Sequence, residues 1–287
     1  MYVIAGATGR VGSVAARTLL GAGAKVRVLV RRQSDADEWE ARGAEVRIAA
    51  LDDRAALTEA LRGCAGFFTL LPFDLTADDL DEHADRLSAS IAGAVSDAGV
   101  LHVVMLSSGG ADLAGGTGPI TGLHRLEEAL RATGTMLTAL RSGHFQEKVG
   151  DVIDVARDSG VYPVFATSAD VPLPMVATAD LGVLVAKTLQ LPPAVSESID
   201  VVGPAYSERT IAALLGEALG RDLEVVTVPE EAWAGALTEG GFRPHIAESL
   251  AELHRADEHG LLAPRGDRSV HVHTPVEATI ERVFALR

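Results

Sequence analysis

Cysteine is almost missing from this chain. Cys64 is the one thiol in 287 residues, which excludes an internal disulfide framework and a cysteine-built metal site. Lysine is nearly as scarce, with Lys25, Lys148 and Lys187 alone, and the tyrosines are Tyr2, Tyr162 and Tyr206. None of those tyrosines has a lysine four residues later, so a Tyr-x-x-x-Lys proton relay is excluded outright. No apolar run approaches the ~18 residues that a membrane helix needs. The amino terminus lacks a basic n-region, and Gly6, Gly9 and Gly12 interrupt its apolar residues, so no signal peptide is expected. Together these absences predict a cytoplasmic protein with neither a membrane partner nor a resident metal.

Acidic residues are abundant overall but missing from one place. The net charge is −15, which disfavours nucleic acid as a direct partner. Residues 1–34 nevertheless contain no Asp or Glu, while Arg10, Arg17, Lys25, Arg27, Arg31 and Arg32 give them +6 and leave −21 on the rest. A cationic island in an anionic chain suggests a small polyanion bound near the amino terminus.

That island coincides with a motif. Met1–Ala5 reads as a buried strand, Val11–Leu20 as a helix, and Lys25–Val30 as a second strand. Between the first strand and the helix lies Gly6-Ala7-Thr8-Gly9-Arg10-Val11-Gly12. Strand, glycine turn, helix and strand in about thirty residues is the βαβ unit that binds dinucleotides. One glycine permits the tight turn, one lets a diphosphate approach bare backbone, and one lets helix and strand pack closely. The helix N-terminus then offers free N–H groups and partial positive charge. A carboxylate at the end of the second strand would select NAD, but Arg31-Arg32-Gln33-Ser34 stands there, with no acid before Asp35. Guanidinium groups suit a 2′-phosphate, so the expected cofactor is NADP(H).

Further segments share a pattern with a known family. They are Val28–Arg32, Leu51–Leu57, Gly66-Phe67-Phe68-Thr69-Leu70-Leu71-Pro72, Val103–Ser108 and His124-Arg125-Leu126-Glu127, then Leu140-Arg141-Ser142-Gly143-His144-Phe145 and Pro174–Gly182. With the glycine turn, they make the chain resemble the NmrA-like, atypical short-chain dehydrogenase/reductases, nearest to bacterial NAD(P)H:quinone oxidoreductases and dye reductases. One departure is Ala49-Ala50, where the family usually has Gly-Asp. An adenine contact is there either missing or supplied by Asp52 or backbone.

The resemblance implies an α/β, Rossmann-type doubly wound parallel sheet, and the pattern read alone agrees. Strand-like runs at 1–5, 25–30, 44–49, 66–71 and 100–106 alternate with helix-like runs at 11–21, 54–62, 78–98 and 121–133. Residues 1–145 are expected to form the dinucleotide-binding domain. Residues 146–287 would form a smaller α/β substrate-binding part interleaved with the sheet. Thr69, Leu70 and Leu71 at one strand end, and Ser107 and Ser108 at another, are expected to line the cofactor with the turn residues Gly6, Thr8, Gly9, Arg10, Val11 and Gly12. Pro72, Phe73, Gly109, His144, Phe145 and Trp233 are expected to line a mostly apolar pocket, together with Phe242 and Pro244.

Candidate acids are few. His124 opens the helix that would carry the missing Tyr-Lys pair and is the candidate proton donor. His102, inside a strand, reads as a core histidine. Asp180 reads as a helix cap, and residues 247–259 as an acidic helix over a substrate lid. The implied activity is hydride transfer from NADPH to a small apolar or aromatic conjugated acceptor, a quinone or enone, by a monomer or homodimer. Two alternatives stay open: a non-catalytic NADP sensor, and an epimerase, dehydratase or cyclase on the same fold.

Overall fold

A computed structural model describes residues 1–285, so the last two residues of the expected second part lie outside it. The elements run β1 (Tyr2–Ile4), α1 (Arg10–Gly21), β2 (Val26–Val30), α2 (Ala36–Ala41), β3 (Glu45–Ile48), α3 (Arg54–Leu61), β4 (Gly66–Leu70) and α4 (Leu80–Ala98). Next come β5 (His102–Ser108), α5 (Ile120–Ala132), β6 (Met136–Ser142), β7 (His144–Phe145), α6 (Val149–Ser159), β8 (Val161–Val164), β9 (Leu173–Val176) and α7 (Thr178–Gln190). The chain ends with β10 (Glu197–Val202), β11 (Ala205–Tyr206), α8 (Glu208–Leu219), β12 (Glu224–Thr227), α9 (Trp233–Glu239), α10 (Pro244–Glu258), β13 (Arg268–His271) and α11 (Val276–Ala285).

The main sheet is eight-stranded, in the order β13-β10-β6-β5-β4-β1-β2-β3, and every neighbouring pair is parallel. The strand order reverses between β1 and β4, which opens a crevice at their carboxyl ends. A parallel sheet must be covered on both faces, and its strands read as unbroken apolar runs. Phe67 and Phe68 illustrate this: both are fully buried, one in the layer with Leu57, Ile91 and Leu126, the other in the layer with Leu19, Leu181 and Val185.

The second part of the chain supplies β10 and β13 to this sheet. Two small sheets, β11-β9-β7 and β12-β8, stand apart from it. A third core joins Ile153, Tyr162, Leu215 and Ile280. Tyr162 donates to Glu208 at 2.7 Å, and burial beside that carboxylate pushes the phenol far above its ordinary range. Asp180 does not cap α7. Its carboxylate accepts from the backbone N and the hydroxyl of Thr274, and Glu147 instead receives the N–H and hydroxyl of Thr178. His102 is a core residue, 2% exposed, with Nε2 on the Thr138 hydroxyl.

Helices α1 and α7 pack together because one surface is bare. A Cβ at Gly182 would lie 2.5 Å from Val14 Cβ and 2.8 Å from the Val11 carbonyl oxygen. Gly182→Ala therefore sets a helix-propensity gain of about 1 kcal/mol against a backbone clash of about 1–3 kcal/mol. Since a carbonyl cannot rotate aside, the clash should win, and thermal unfolding of the variant is expected at a lower temperature than wild type.

Candidate functional site

The turn after β1 is built from backbone alone. Gly6 has a φ of +62°, which favours glycine, and the N–H of Gly9 closes the turn on the Gly6 carbonyl at 2.9 Å. Gly9 is the N-cap of α1 and offers no capping side chain, and the first helical turn has no acid. The N–H groups of Arg10, Val11 and Gly12 lack intrahelical partners by geometry and open outward. A Cβ at Gly12 would strike the carbonyl oxygens of Gly6 and Ala5. The turn is thus a cradle that only glycine permits, and it fits a diphosphate.

Other predicted cofactor residues distribute unevenly around it. Thr8 and Arg10 are exposed beside the turn, while Val11 is buried against the sheet. At the end of β4, Leu70 Cδ2 lies where a Gly6 side chain would stand, so the two strand ends touch. Thr69 is fully buried and its Oγ1 has no hydrogen-bond partner. Ser108 is half-buried at the end of β5. Ser107 is different: its hydroxyl donates to Glu127 Oε1 at 2.7 Å within the core. Glu127, 2% exposed, also takes both forks of Arg141, with Arg141 Nη2 at 2.7 Å. Ser107 therefore helps hold a buried ion pair that ties α5 to β6.

Beside the turn, a cavity of about 340 Å3 is lined by Ala7, Thr8, Ser13, Arg17, Ser34, Asp35, Glu38 and Trp39. Of the six early cations, Arg27 is structural, bonded to Glu45 at 3.0 Å and to the Ala60 carbonyl at 2.6 Å. Arg31 is exposed, and Arg32 forks onto Asp35. Arg17 reaches the cavity from α1, a position that the βαβ pattern alone does not single out. Asp53 caps α3 through the Ala56 N–H at 3.0 Å, which accounts for that carboxylate without a nucleotide.

A second cavity, of about 270 Å3, opens past β4 between α4, α5 and α10. Leu71, Pro72 and Phe73 form its apolar side, and Asp78, Asp79, Asp81, His83, Arg125 and His245 its polar side. His124 sits one turn inside α5 rather than opening it, because the helix begins at Ile120. Its Nδ1 lies 2.9 Å from the Ala111 carbonyl, an acceptor only, so Nδ1 carries the proton. The neutral ring then presents a bare Nε2, and only the imidazolium can donate from that atom. His144 on β7 places Nε2 3.0 Å from Asp257 of α10, and Phe145 beside it is half-buried.

Four expected pocket residues take other places. Trp233 is fully buried, packs with Leu237, Ala247 and Ala251, and donates its indole N–H to the Val228 carbonyl at 2.8 Å. It is the centre of a satellite core, because α9 and α10 fold over it. Phe242 packs onto the same cluster, and Pro244 is the first residue of α10. Gly109 is covered by the Leu262 carbonyl, which leaves no space for a Cβ or for a ligand on that side. Cys64 is half-buried, and burial raises its thiol above the ordinary range. Among the described residues no cluster of His, Cys, Asp or Glu could hold a metal, and no helix is long and apolar enough to cross a membrane.

His254 connects this satellite core to the segment that follows β8. Its ring stacks on Phe165 at 5.3 Å and meets Trp233 edge-on at 5.8 Å. Burial, and then Lys148, push its pKa down to about 4. The folded protein thus keeps the ring neutral, whereas the unfolded chain protonates it at about 6.5. Stability from this site is complete above that value and is lost as pH falls toward about 4. Urea unfolding at pH 7 and pH 5 should show wild type losing about 1–2 kcal/mol more than a His254→Phe variant over that interval.

Comparison with known proteins agrees with this architecture. A (4-alkanoyl-5-oxo-2,5-dihydrofuran-3-yl)methyl phosphate reductase of Streptomyces griseus is 32% identical over 256 residues, covering 88% of this chain and 85% of that protein. An NAD(P)H azoreductase of Xenophilus azovorans is 26% identical over 255 residues, covering 88% and 86%. The crystal structure of an NADPH-dependent quinone oxidoreductase of Escherichia coli in complex with NADPH superposes with a TM-score of 0.80 at 22% identity, over 99% of this chain and 100% of that one. The sequence pattern of the NmrA-like family matches residues 2–283, from the first strand of the glycine turn to the last helix, and the chain belongs to that family.

Proposed function

We propose that this protein is an NADPH-dependent reductase of a small conjugated acceptor, a quinone or an enone. The observation that carries this reading is the Gly6–Gly12 cradle under an uncapped, acid-free helix start, with Arg31 and Arg32 at the end of the neighbouring strand. Relatives support the acceptor class. The Streptomyces relative's named substrate has a ring double bond conjugated with two carbonyl groups, and the azoreductase takes NAD(P)H.

The bound coenzyme supplies the hydride. The amides of Arg10, Val11 and Gly12 would hold the diphosphate, and Arg31, with an Arg32 shared with Asp35, would bind the 2′-phosphate as charge-assisted donors. Leu70, Leu71 and Ser108 would position the nicotinamide half at the carboxyl ends of β4 and β5, beside the fully buried Thr69. Pro72 and Phe73 give the acceptor an apolar wall, and His144 and Phe145 close it from β7. A delocalised product anion needs little acid, and His124 as imidazolium donates the proton from Nε2. Holding donor and acceptor in line is then the main catalytic contribution of the protein.

The test is direct. Protein, NADPH and a panel of quinones, an azo dye and an alkanoyl butenolide are mixed, and loss of the reduced nicotinamide absorbance is followed. No loss with any acceptor removes the reductase reading. In the double variant Arg31→Ala, Arg32→Ala, NADPH affinity should fall roughly ten-fold more than NADH affinity. Equal losses would remove the 2′-phosphate assignment. His124→Ala should lower turnover with NADPH affinity unchanged, and unchanged turnover would take His124 out of the mechanism.

A further inference from the structure

The cavity beside the glycine turn holds more acid than a phosphate site calls for. Asp35 and Glu38 both line it, opposite Arg17, Ser13 and Thr8. The fold brings Asp35 back onto the arginine that precedes it in the chain. Arg32 Nε lies 3.2 Å from Asp35 Oδ2 and Arg32 Nη2 lies 3.1 Å from Oδ1, so the Nε–Nη2 edge of the guanidinium is already engaged. Arg17 donates from Nη2 to Ser13 Oγ at 3.2 Å. Asp35 makes no capping bond to α2, so its carboxylate has no helix-stabilising duty there.

A dinucleotide seated on the turn would set its adenosine ribose beside this cavity. A 2′-phosphate arriving there meets two carboxylates and must share Arg32 with one of them or draw it away. A 2′-hydroxyl meets neither obstacle, because it can donate to a carboxylate. We infer that Asp35 sets the coenzyme specificity of this chain: it holds Arg32 back from a 2′-phosphate and offers its own carboxylate to the 2′-hydroxyl of NADH, so that the pocket accepts both dinucleotides. The assignment rests on the coenzyme reading given above and narrows the preference that the two arginines alone would create.

Asp35→Asn keeps the shape and removes the charge. Calorimetric titration with NADP+ and with NAD+ needs no acceptor, and kcat/KM with NADPH and NADH follows where turnover is found. The variant should shift the ratio of the two dissociation constants toward NADP+ by about three- to ten-fold. Asp37→Asn, an exposed change on α2 outside the cavity, removes the same charge and should leave the ratio unchanged. A ratio unmoved by Asp35→Asn overturns the assignment, as does an equal shift in Asp37→Asn, which would be a general field effect. A shift toward NAD+ also overturns it, since Asp35 would then be presenting Arg32 to the phosphate. Failure of wild type to bind either nucleotide would instead overturn the coenzyme reading, and this assignment with it.

Discussion

Close approach of backbone to backbone at the first turn governs the rest of the molecule. Gly12 lies against the carbonyls of Gly6 and Ala5, and Gly182 lies against the carbonyl of Val11, the residue before Gly12. The first contact draws the start of α1 down onto β1, and the second draws α7 down onto α1. Helix α7 then covers the face of the sheet that holds Ile4, Phe68 and Val104. Without side chains at those two positions, one stack of layers fixes where the amide cradle stands relative to the ends of β4 and β5.

The first half of this architecture was legible because its signals are local. Alternating strand and helix periods located β1 to β5 and α1, α3, α4 and α5 to within about two residues. Helix α2 escaped notice, because six residues with Trp39 as the main buried anchor give little periodicity. In the second half the pattern says less. Trp233 looks the same in a sequence whether it walls a pocket or centres a core, and only the folding of α9 over α10 decides. Asp180 has the position of a helix cap, yet its carboxylate accepts from Thr274, far along the chain. Asp35 shows the same limit at the candidate site. It stands beyond the arginines in sequence and on top of one of them in space.

Charge inside the protein follows a second logic. Glu127 and Arg141 are both nearly buried, and such a pair is stable only when its remaining donors and acceptors are satisfied. Ser107 supplies one bond to Glu127, and Arg131 reaches across to Ser198 at 2.8 Å. Three strands and a helix are thereby held in register by a polar network in an otherwise apolar layer. The strand-end position of Ser107 suggests a ligand contact, whereas its hydroxyl is a strut of this network. The adjacent Ser108, half-buried at the strand end, keeps the outward place.

The edge of the sheet has a consequence for biosynthesis. Strand β10 joins β6 on one side and waits for β13 on the other, and β13 is formed by residues 268–271, near the end of the chain. A nascent polypeptide that has completed β10 therefore carries an open row of backbone donors and acceptors along that strand until residues 268–271 have followed. Pairing so distant in sequence is slow to form, and a chain truncated before Arg268 would keep an adhesive edge. In the finished protein that hazard is blunted: β13 presents exposed Arg268, Ser269 and His271 to solvent, with Arg268 held by Glu197 at 2.7 Å.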